Sequence, residues 1–457
     1  MAPLHNVKLL EVSRVSPPPS SITDASLPIT LFDVVWLQLP PVQRLFFYQF
    51  PQNPDNTITT THFINTLLPK LKHSLSLSLR LFFPLAGNLT RSPNNGEHEI
   101  RYVNGDSVSF TVAESDADFH LLMANHPRDV MELHPLVPQL PVSDPQNQPL
   151  LALQVTIFPD SGICIGTCIH HAVADGSSSM HFMKSWASIC QSGDESLIRS
   201  RPFYDRSVAA YLDGLKRLML DQIANFKRDQ VSDSLKARAT PFLATFIIGR
   251  ADIETLRRRI LARRCDASQK PIHCSSFVLT CAYVWVCLIR SRGDDVRDKN
   301  VHFYFPVDCR ARLVPPIPAT YFGNCIGCCR CHAKGNDLAT EDGVGPASEA
   351  IGRTIQALDG GVLNGVETWI PEFVSTAASG ERIVTVAGSP KFRVYDTDFG
   401  WGRPVKVEVF SIQEAGAISV ADTRDEEGGI EVGVSLPKGE MDRFASLFVE
   451  GLKNLRS

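Results

Sequence analysis

The chain has no apolar run of the roughly 18 residues that a membrane-spanning helix requires, and Met1 to Arg14 is broken by charges where a secretory leader would be apolar. These two absences predict a cytoplasmic protein that does not engage a membrane. Charge of one sign is also missing, since 45 basic against 49 acidic residues leave a net charge of -4. Such a balance gives no general attraction to nucleic acid or an anionic surface. Repeats and low-complexity tracts are absent, and short strand patterns alternate with amphipathic helical ones, which predicts an α/β protein. The 457 residues are 44% hydrophobic, enough to bury two cores.

Twelve cysteines in a chain without a secretory leader read as buried free thiols, as at Cys164, Cys168, Cys281 and Cys287. The tightest cluster, Cys325, Cys328, Cys329 and Cys331 with His332, lacks the paired C-x-x-C spacing of a zinc site, so no metal is expected. The sequon Asn88-Leu89-Thr90 is expected to stay unused for the same lack of a leader.

What is present is concentrated in His170-His171-Ala172-Val173-Ala174-Asp175-Gly176. Leu151 to Phe158 alternates, Pro159 to Gly162 reads as a turn, and Ile163 to Ile169 alternates again, so the histidines follow the second arm of a β-hairpin. Met180, Met183, Trp186 and Cys190 then fall at helical spacing, after serines Ser177 to Ser179 suited to capping. An imidazole at a strand-to-helix turn is suited to general-base work near neutral pH, and a carboxylate four positions on is suited to holding the turn. Alternatives remain open at this point. From these residues alone His171 reads first as a structural histidine; a Ser/His/Asp set lacks a G-x-S-x-G elbow, and a metal site with His170 and Asp175 lacks H-E-x-x-H spacing.

More than two hundred residues later stands Asp398-Phe399-Gly400-Trp401-Gly402, where two glycines permit a sharp turn before the strand pattern Val405, Val407, Val409. The two motifs, in this order and in a chain of this length, resemble those of the BAHD acyltransferases, a plant family that moves acyl groups from coenzyme A thioesters to alcohols and amines. Leu27 to Asp33 (LPITLFD) and Phe83 to Gly87 (FPLAG) extend the resemblance over nearly the whole chain. Tyr321-Phe322-Gly323-Asn324-Cys325 is similar to the signature of the subgroup that acylates sugars of anthocyanins, flavonoids and phenolic glucosides.

The resemblance implies two similar domains of the chloramphenicol acetyltransferase type with a solvent channel between them. Residues 1–200 would form the first, 201–238 a crossover linker, and 239–457 the second. His171 would be the catalytic base, and Asp175 a structural aspartate pointing away from the reacting centre. Asp398, Gly400, Trp401 and Gly402 would shape the coenzyme side, with Asp398 paired to Arg310. Substrate-binding candidates are Asp33, Lys184, Ser275, Ser276, Ser389 and Lys391. Lys184 is also the nearest basic candidate for the carboxylate of a malonyl donor, while the arginines at 257–259 and 263–264 read as a solvated helix face.

The activity so implied is transfer of a malonyl group from malonyl-CoA to a sugar hydroxyl of a phenolic or flavonoid glucoside, by a monomer that needs no cofactor. An aromatic donor such as coumaroyl-CoA is the nearest alternative. A condensation-type domain acting on carrier-bound thioesters, or an inactive binding protein, are the others.

Overall fold

The computed structural model describes residues 7–51, 58–141, 144, 146–224, 240–262, 272–292, 298–415 and 417–456. They form a mixed α/β fold with three sheets. The first sheet has the order β1 (Val7–Val15), β6 (Val108–Ser115), β9 (Leu151–Phe158), β10 (Gly162–Ile169), β3 (Val42–Gln49) and β15 (Lys406–Val409). The second runs β13 (Ile326–Lys334), β12 (Asn300–Asp308), β14 (Arg382–Gly388), β16 (Ile418–Asp422), β17 (Ile430–Pro437), β11 (Pro241–Ile248) and β7 (Arg128–Asp129). A small third sheet holds β2 (Ala25–Pro28), β5 (His98–Tyr102), β4 (Asn88–Arg91) and β8 (Asn147–Pro149).

The two large sheets exchange strands. Residues 406–409, from late in the chain, pair antiparallel with β3 and close the edge of the first sheet. Residues 128–129, from the earlier half, pair with β11 and close the edge of the second. Buried charge marks this seam: Arg128 meets Glu408 at 2.5 Å, and Lys406 lies 3.5 Å from Glu408 and 3.8 Å from Glu431. Thr245 Oγ1 donates to the same Glu408 carboxylate at 3.2 Å.

The predicted hairpin is β9 and β10, paired from Gly162 opposite Phe158 to Ile169 opposite Leu151. Its alternation reads as one buried face and one wet one, yet every residue of both strands is buried. The apolar residues at odd positions of β9 join the core under helices Leu68–Leu81 and Gly176–Ser192, whereas Phe158 and Cys164 pack into a separate cluster with Leu133 and Leu136. In the second half, helix Ser276–Arg292 is buried almost all round, and the C-terminal strand and helix bury Met441, Phe444 and Phe448 as their spacing predicts.

Between the halves, a 3-10 turn Arg206–Leu212 leads into helix Asp213–Ala224. Its buried stripe is Leu212, Lys216, Met219 and Ile223, and Leu218 is 40% exposed because it falls off that face. Phe226, the remainder of the expected linker, and residues 263–264 lie outside the described residues. No helix among the described residues is long and apolar enough to cross a membrane.

Candidate active site

Strand β10 delivers the chain to the motif, and the turn that follows is fixed by Asp175. With extended backbone angles, Asp175 caps helix Gly176–Ser192, and its Oδ1 accepts the Ser178 amide at 2.9 Å. The cap is therefore the aspartate, not the serines expected to serve there. Ser178 instead turns its hydroxyl to the Gly323 carbonyl at 2.9 Å and accepts the Gly323 amide at 3.1 Å.

The second oxygen of Asp175 accepts the Cys325 amide at 3.0 Å and lies 2.8 Å from Arg310 Nη1. Arg310 Nη2 donates to Ser178 Oγ, the Tyr321 carbonyl and the Gly323 carbonyl at 3.2, 3.1 and 3.1 Å. Burial works against the Arg310 charge, but Asp175 outweighs it together with Asp308 and holds the guanidinium pKa above its ordinary value. The expected Arg310–Asp398 pairing is thus corrected. Asp398 closes its own loop, accepting the amides of Gly400 at 2.8 Å and Gly402 at 3.0 Å. The reason is reach along the chain: both amides lie within four residues of Asp398, on glycines at φ of +105° and +111°.

His171 is positioned by a residue that the sequence reading quoted only within a signature. Asn324 Nδ2 donates to the His171 carbonyl at 2.8 Å and to Asp33 Oδ1 at 2.9 Å. Both partners are pure acceptors, so the amide orientation is set by chemistry, and Asn324 Oδ1 is the atom 3.1 Å from His171 Nδ1. An amide oxygen can only accept. Neutral His171 therefore carries its proton on Nδ1 and presents a free lone pair at Nε2.

Trp36 stacks on the imidazole at 3.7 Å between centroids and 7° between planes, fixing the ring plane. Burial lowers the His171 pKa, while the Asp175 charge and the Asn324 hydrogen bond pull upward and Arg44 pulls down. The neighbouring His170 is pushed down to about 4 by burial and then by His171, and its Nδ1 accepts the Ala172 amide at 3.2 Å. That nitrogen is spent on the turn.

Asp33, expected among the substrate-binding residues, is fully buried. Its Oδ2 accepts the Thr30 amide at 2.8 Å and hydroxyl at 2.9 Å, and Arg206 Nη1 stands 3.6 Å away. It anchors Asn324, and through it His171. Gly323 is required here: its φ is +151°, and a Cβ would fall 2.2 Å from Arg206 Nη1.

The aromatic residues of the Asp398 loop dock on the first half. Phe399 meets Tyr48 of β3 and Trp186 edge-on at 5.7 and 4.9 Å, and half-buried Trp401 stacks beside it at 5.6 Å. Ser389 caps the turn Pro390–Phe392 by accepting the Lys391 amide, and Lys391 is exposed. Ser275 accepts the Val278 amide at 3.4 Å, beside Ser276 at the start of the buried helix. Lys184 is half-buried, with burial lowering its pKa and the charges of Asp396 and Asp422 partly offsetting that. Arg257 donates to the Cys274 carbonyl at 3.0 Å and Arg259 to the carbonyls of Asn454 and Leu455, so they tie helix ends together.

The structure thus brings His171, Asp175, Arg310 and Asp33 into one network and leaves Asp398, Lys184, Ser275 and Ser276 outside its hydrogen bonds. Trp36, Asn324, Arg206 and Arg44 were missed as site residues. Only Arg44 had a local signal, a lone cation inside the apolar strand VQRLFFYQ. Among the described residues, no group of three histidine, cysteine or acidic side chains could hold a metal ion.

The fold is that of the solved structure of vinorine synthase, with a TM-score of 0.66 over 97% of this chain and 98% of that one at 20% identity. A family model described as the Transferase family matches residues 6–450. Phenolic glucoside malonyltransferase 2 of Arabidopsis thaliana is 39% identical over 97% of this chain and 99% of its own length. The malonyl-coenzyme A:anthocyanin 3-O-glucoside-6''-O-malonyltransferase of Dahlia pinnata is 37% identical, covering 99% and 98%. A coumaroyl-CoA:anthocyanidin 3-O-glucoside-6''-O-coumaroyltransferase of Arabidopsis thaliana is 36% identical, covering 99% of each. These relatives define an acyltransferase that takes its acyl group from coenzyme A. The chain belongs to the BAHD acyltransferase family.

Proposed function

We propose that the protein transfers a malonyl group from malonyl-CoA to a sugar hydroxyl of a phenolic or flavonoid glucoside, with His171 as general base. The observation that carries this is the orientation of Asn324, which leaves Nε2 of a neutral imidazole free to accept a proton. The sugar hydroxyl gives its proton to Nε2 as its oxygen attacks the thioester carbonyl. The tetrahedral intermediate then breaks its carbon–sulfur bond, and the departing thiolate takes the proton back from the imidazolium. The base is regenerated, and the new sugar ester and the free thiol of coenzyme A leave without an acyl-enzyme.

Asp175 and Arg310 hold the turn in this reading, Asp33 and Asn324 set the tautomer, and the Asp398 loop seals the coenzyme side. Ser275, Ser276 and Lys391 remain the candidates for contact with coenzyme A, and Ser389 a candidate for lining the site. The polypeptide works as a cytoplasmic monomer, its halves divided by the 201–238 segment apart from the two exchanged strands. The malonyl donor is favoured by the two malonyltransferases above, and the coumaroyl relative makes an aromatic donor the alternative.

Purified protein offered malonyl-CoA, acetyl-CoA and coumaroyl-CoA against flavonoid and simple phenolic glucosides, with products read by mass, tests the assignment. Higher kcat/KM with coumaroyl-CoA overturns the donor. His171→Ala is expected to lower turnover by about 10²- to 10⁴-fold with its thermal unfolding unchanged, and near-wild-type turnover overturns the mechanism.

A further inference from the structure

Among the described residues, one buried cation has no counter-ion. Arg44 lies on β3, opposite Thr167 of β10, and is 6% exposed. Its Nε and Nη1 are buried without a hydrogen-bond partner. Burial alone pushes its pKa down to about 10, with no carboxylate near enough to lift it, and it stays charged at neutral pH. A desolvated charge left unpaired costs several kcal/mol, so this position is built around an anion that arrives from outside the chain.

The surroundings say where that anion sits. Arg44 borders a narrow cleft between the two large sheets, with Thr245, Gly388, Phe392 and Ser419 among its walls. Glu408 and Glu431 also reach this cleft, but Glu408 is held by Arg128 at 2.5 Å, and Glu431 accepts the Tyr395 hydroxyl at 2.7 Å. The cleft adjoins the catalytic turn. The guanidinium lies 5.8 Å above the Phe392 ring, and that same ring is so close to Gly176 that an added Cβ would fall 2.4 Å from it. The Arg44 charge is also felt at the His171 imidazole.

We infer that Arg44 receives the terminal carboxylate of the acyl donor and is the residue that selects a dicarboxylic acyl group. The inference rests on the malonyl reading above. In malonyl-CoA the carboxylate stands two carbon–carbon bonds from the thioester carbonyl, so its partner has to lie beside the general base and out of bulk water. Arg44 is out of bulk water, and its charge reaches the His171 imidazole. Lys184, the candidate suggested by sequence, faces Asp396 and Asp422 instead. A neutral or aromatic acyl group leaves the Arg44 charge unpaired, which penalises that donor.

The test is the ratio of kcat/KM for malonyl-CoA over acetyl-CoA in wild type, Arg44→Gln and Arg44→Lys, with one glucoside acceptor. In Arg44→Gln the ratio is expected to fall by about a hundredfold or more, and in Arg44→Lys, which keeps the charge, by less. General loss of structure lowers both rates but not their ratio, and a ratio within a factor of about three of wild type in the two variants overturns the role. The wild-type enzyme is also offered the methyl ester of malonyl-CoA, which needs no variant to fold. Poor use of the ester supports a charge-reading pocket, and equal use overturns it. Preference of the wild type for coumaroyl-CoA is a separate result, seen before any variant is made, and it removes the donor reading and this inference together.

Discussion

Two motif aspartates, one capping a helix and one opening a glycine-rich loop, do opposite things. Asp175 reaches across the molecule: its carboxylate holds Arg310 and the Cys325 amide, 135 and 150 residues away by number. Asp398 reaches only two and four residues along its own loop, and its side chain is partly exposed. The first is a buried ion pair at 1% exposure, so removing one member leaves an unpaired charge with no water to take over. The second can be replaced by water at its amides. What fastens the Asp398 loop to the first half is aromatic surface, Phe399 and Trp401 against Tyr48 and Trp186.

The largest effect that sharpens this contrast is expected from Asp175→Ala, which should cost about 3–5 kcal/mol of stability and activity with it. Denaturant unfolding measures this, and adding Arg310→Met should recover part of the loss, because the stranded charge is then gone. A cost below about 1 kcal/mol, the range of an ordinary cap, would erase the distinction between the two aspartates.

Next in size is Asn324→Ala, expected to lower kcat about 10- to 100-fold, the usual worth of a partner that orients a functional histidine. Its diagnostic readout is pH. In wild type the acid limb of kcat/KM should lie below the ordinary histidine value, because burial lowers the His171 pKa. Asn324 opposes that shift by accepting from Nδ1, so its removal should move the limb further toward acid. An unmoved limb means that Asn324 only fills space.

The smallest effect is expected from Asp398→Ala, about 1 kcal/mol in unfolding experiments. A loss as large as that of Asp175→Ala would break the comparison from the other side.

The hairpin, the strand-to-helix turn and the C-terminal strand and helix were legible because each declares itself in local periodicity. Burial of β9 and β10 on both faces was not, since what covers the second face comes from remote segments such as Leu133 and Leu136. Strand β7 carries two residues, too short for a pattern, and only its distant partner makes it a strand, while Val405, Val407 and Val409 announced β15 but not its pairing with β3. In the site, His171 and Asp175 stood out through motif spacing. Asn324 and Trp36 act through contacts with a residue more than a hundred positions away, and nothing in their neighbourhood announces that. Asp33 was noticed but misplaced, because a carboxylate facing substrate and one buried behind an asparagine look alike in sequence. Ser177 to Ser179 misled for a related reason: three good caps stood next to a better one.

The exchange of strands has a consequence for how the chain comes into being. Strand β3, with Leu45, Phe46, Phe47 and Tyr48, acquires its last neighbour only from Lys406–Val409, some 360 positions further on. During vectorial synthesis that edge therefore stands uncovered while most of the polypeptide is still to be made, with an aromatic-rich row of free amides and carbonyls on offer. Closure of such long loops is slow. Native pairing is thus the last thing to cover the outer edge of the strand that carries Arg44.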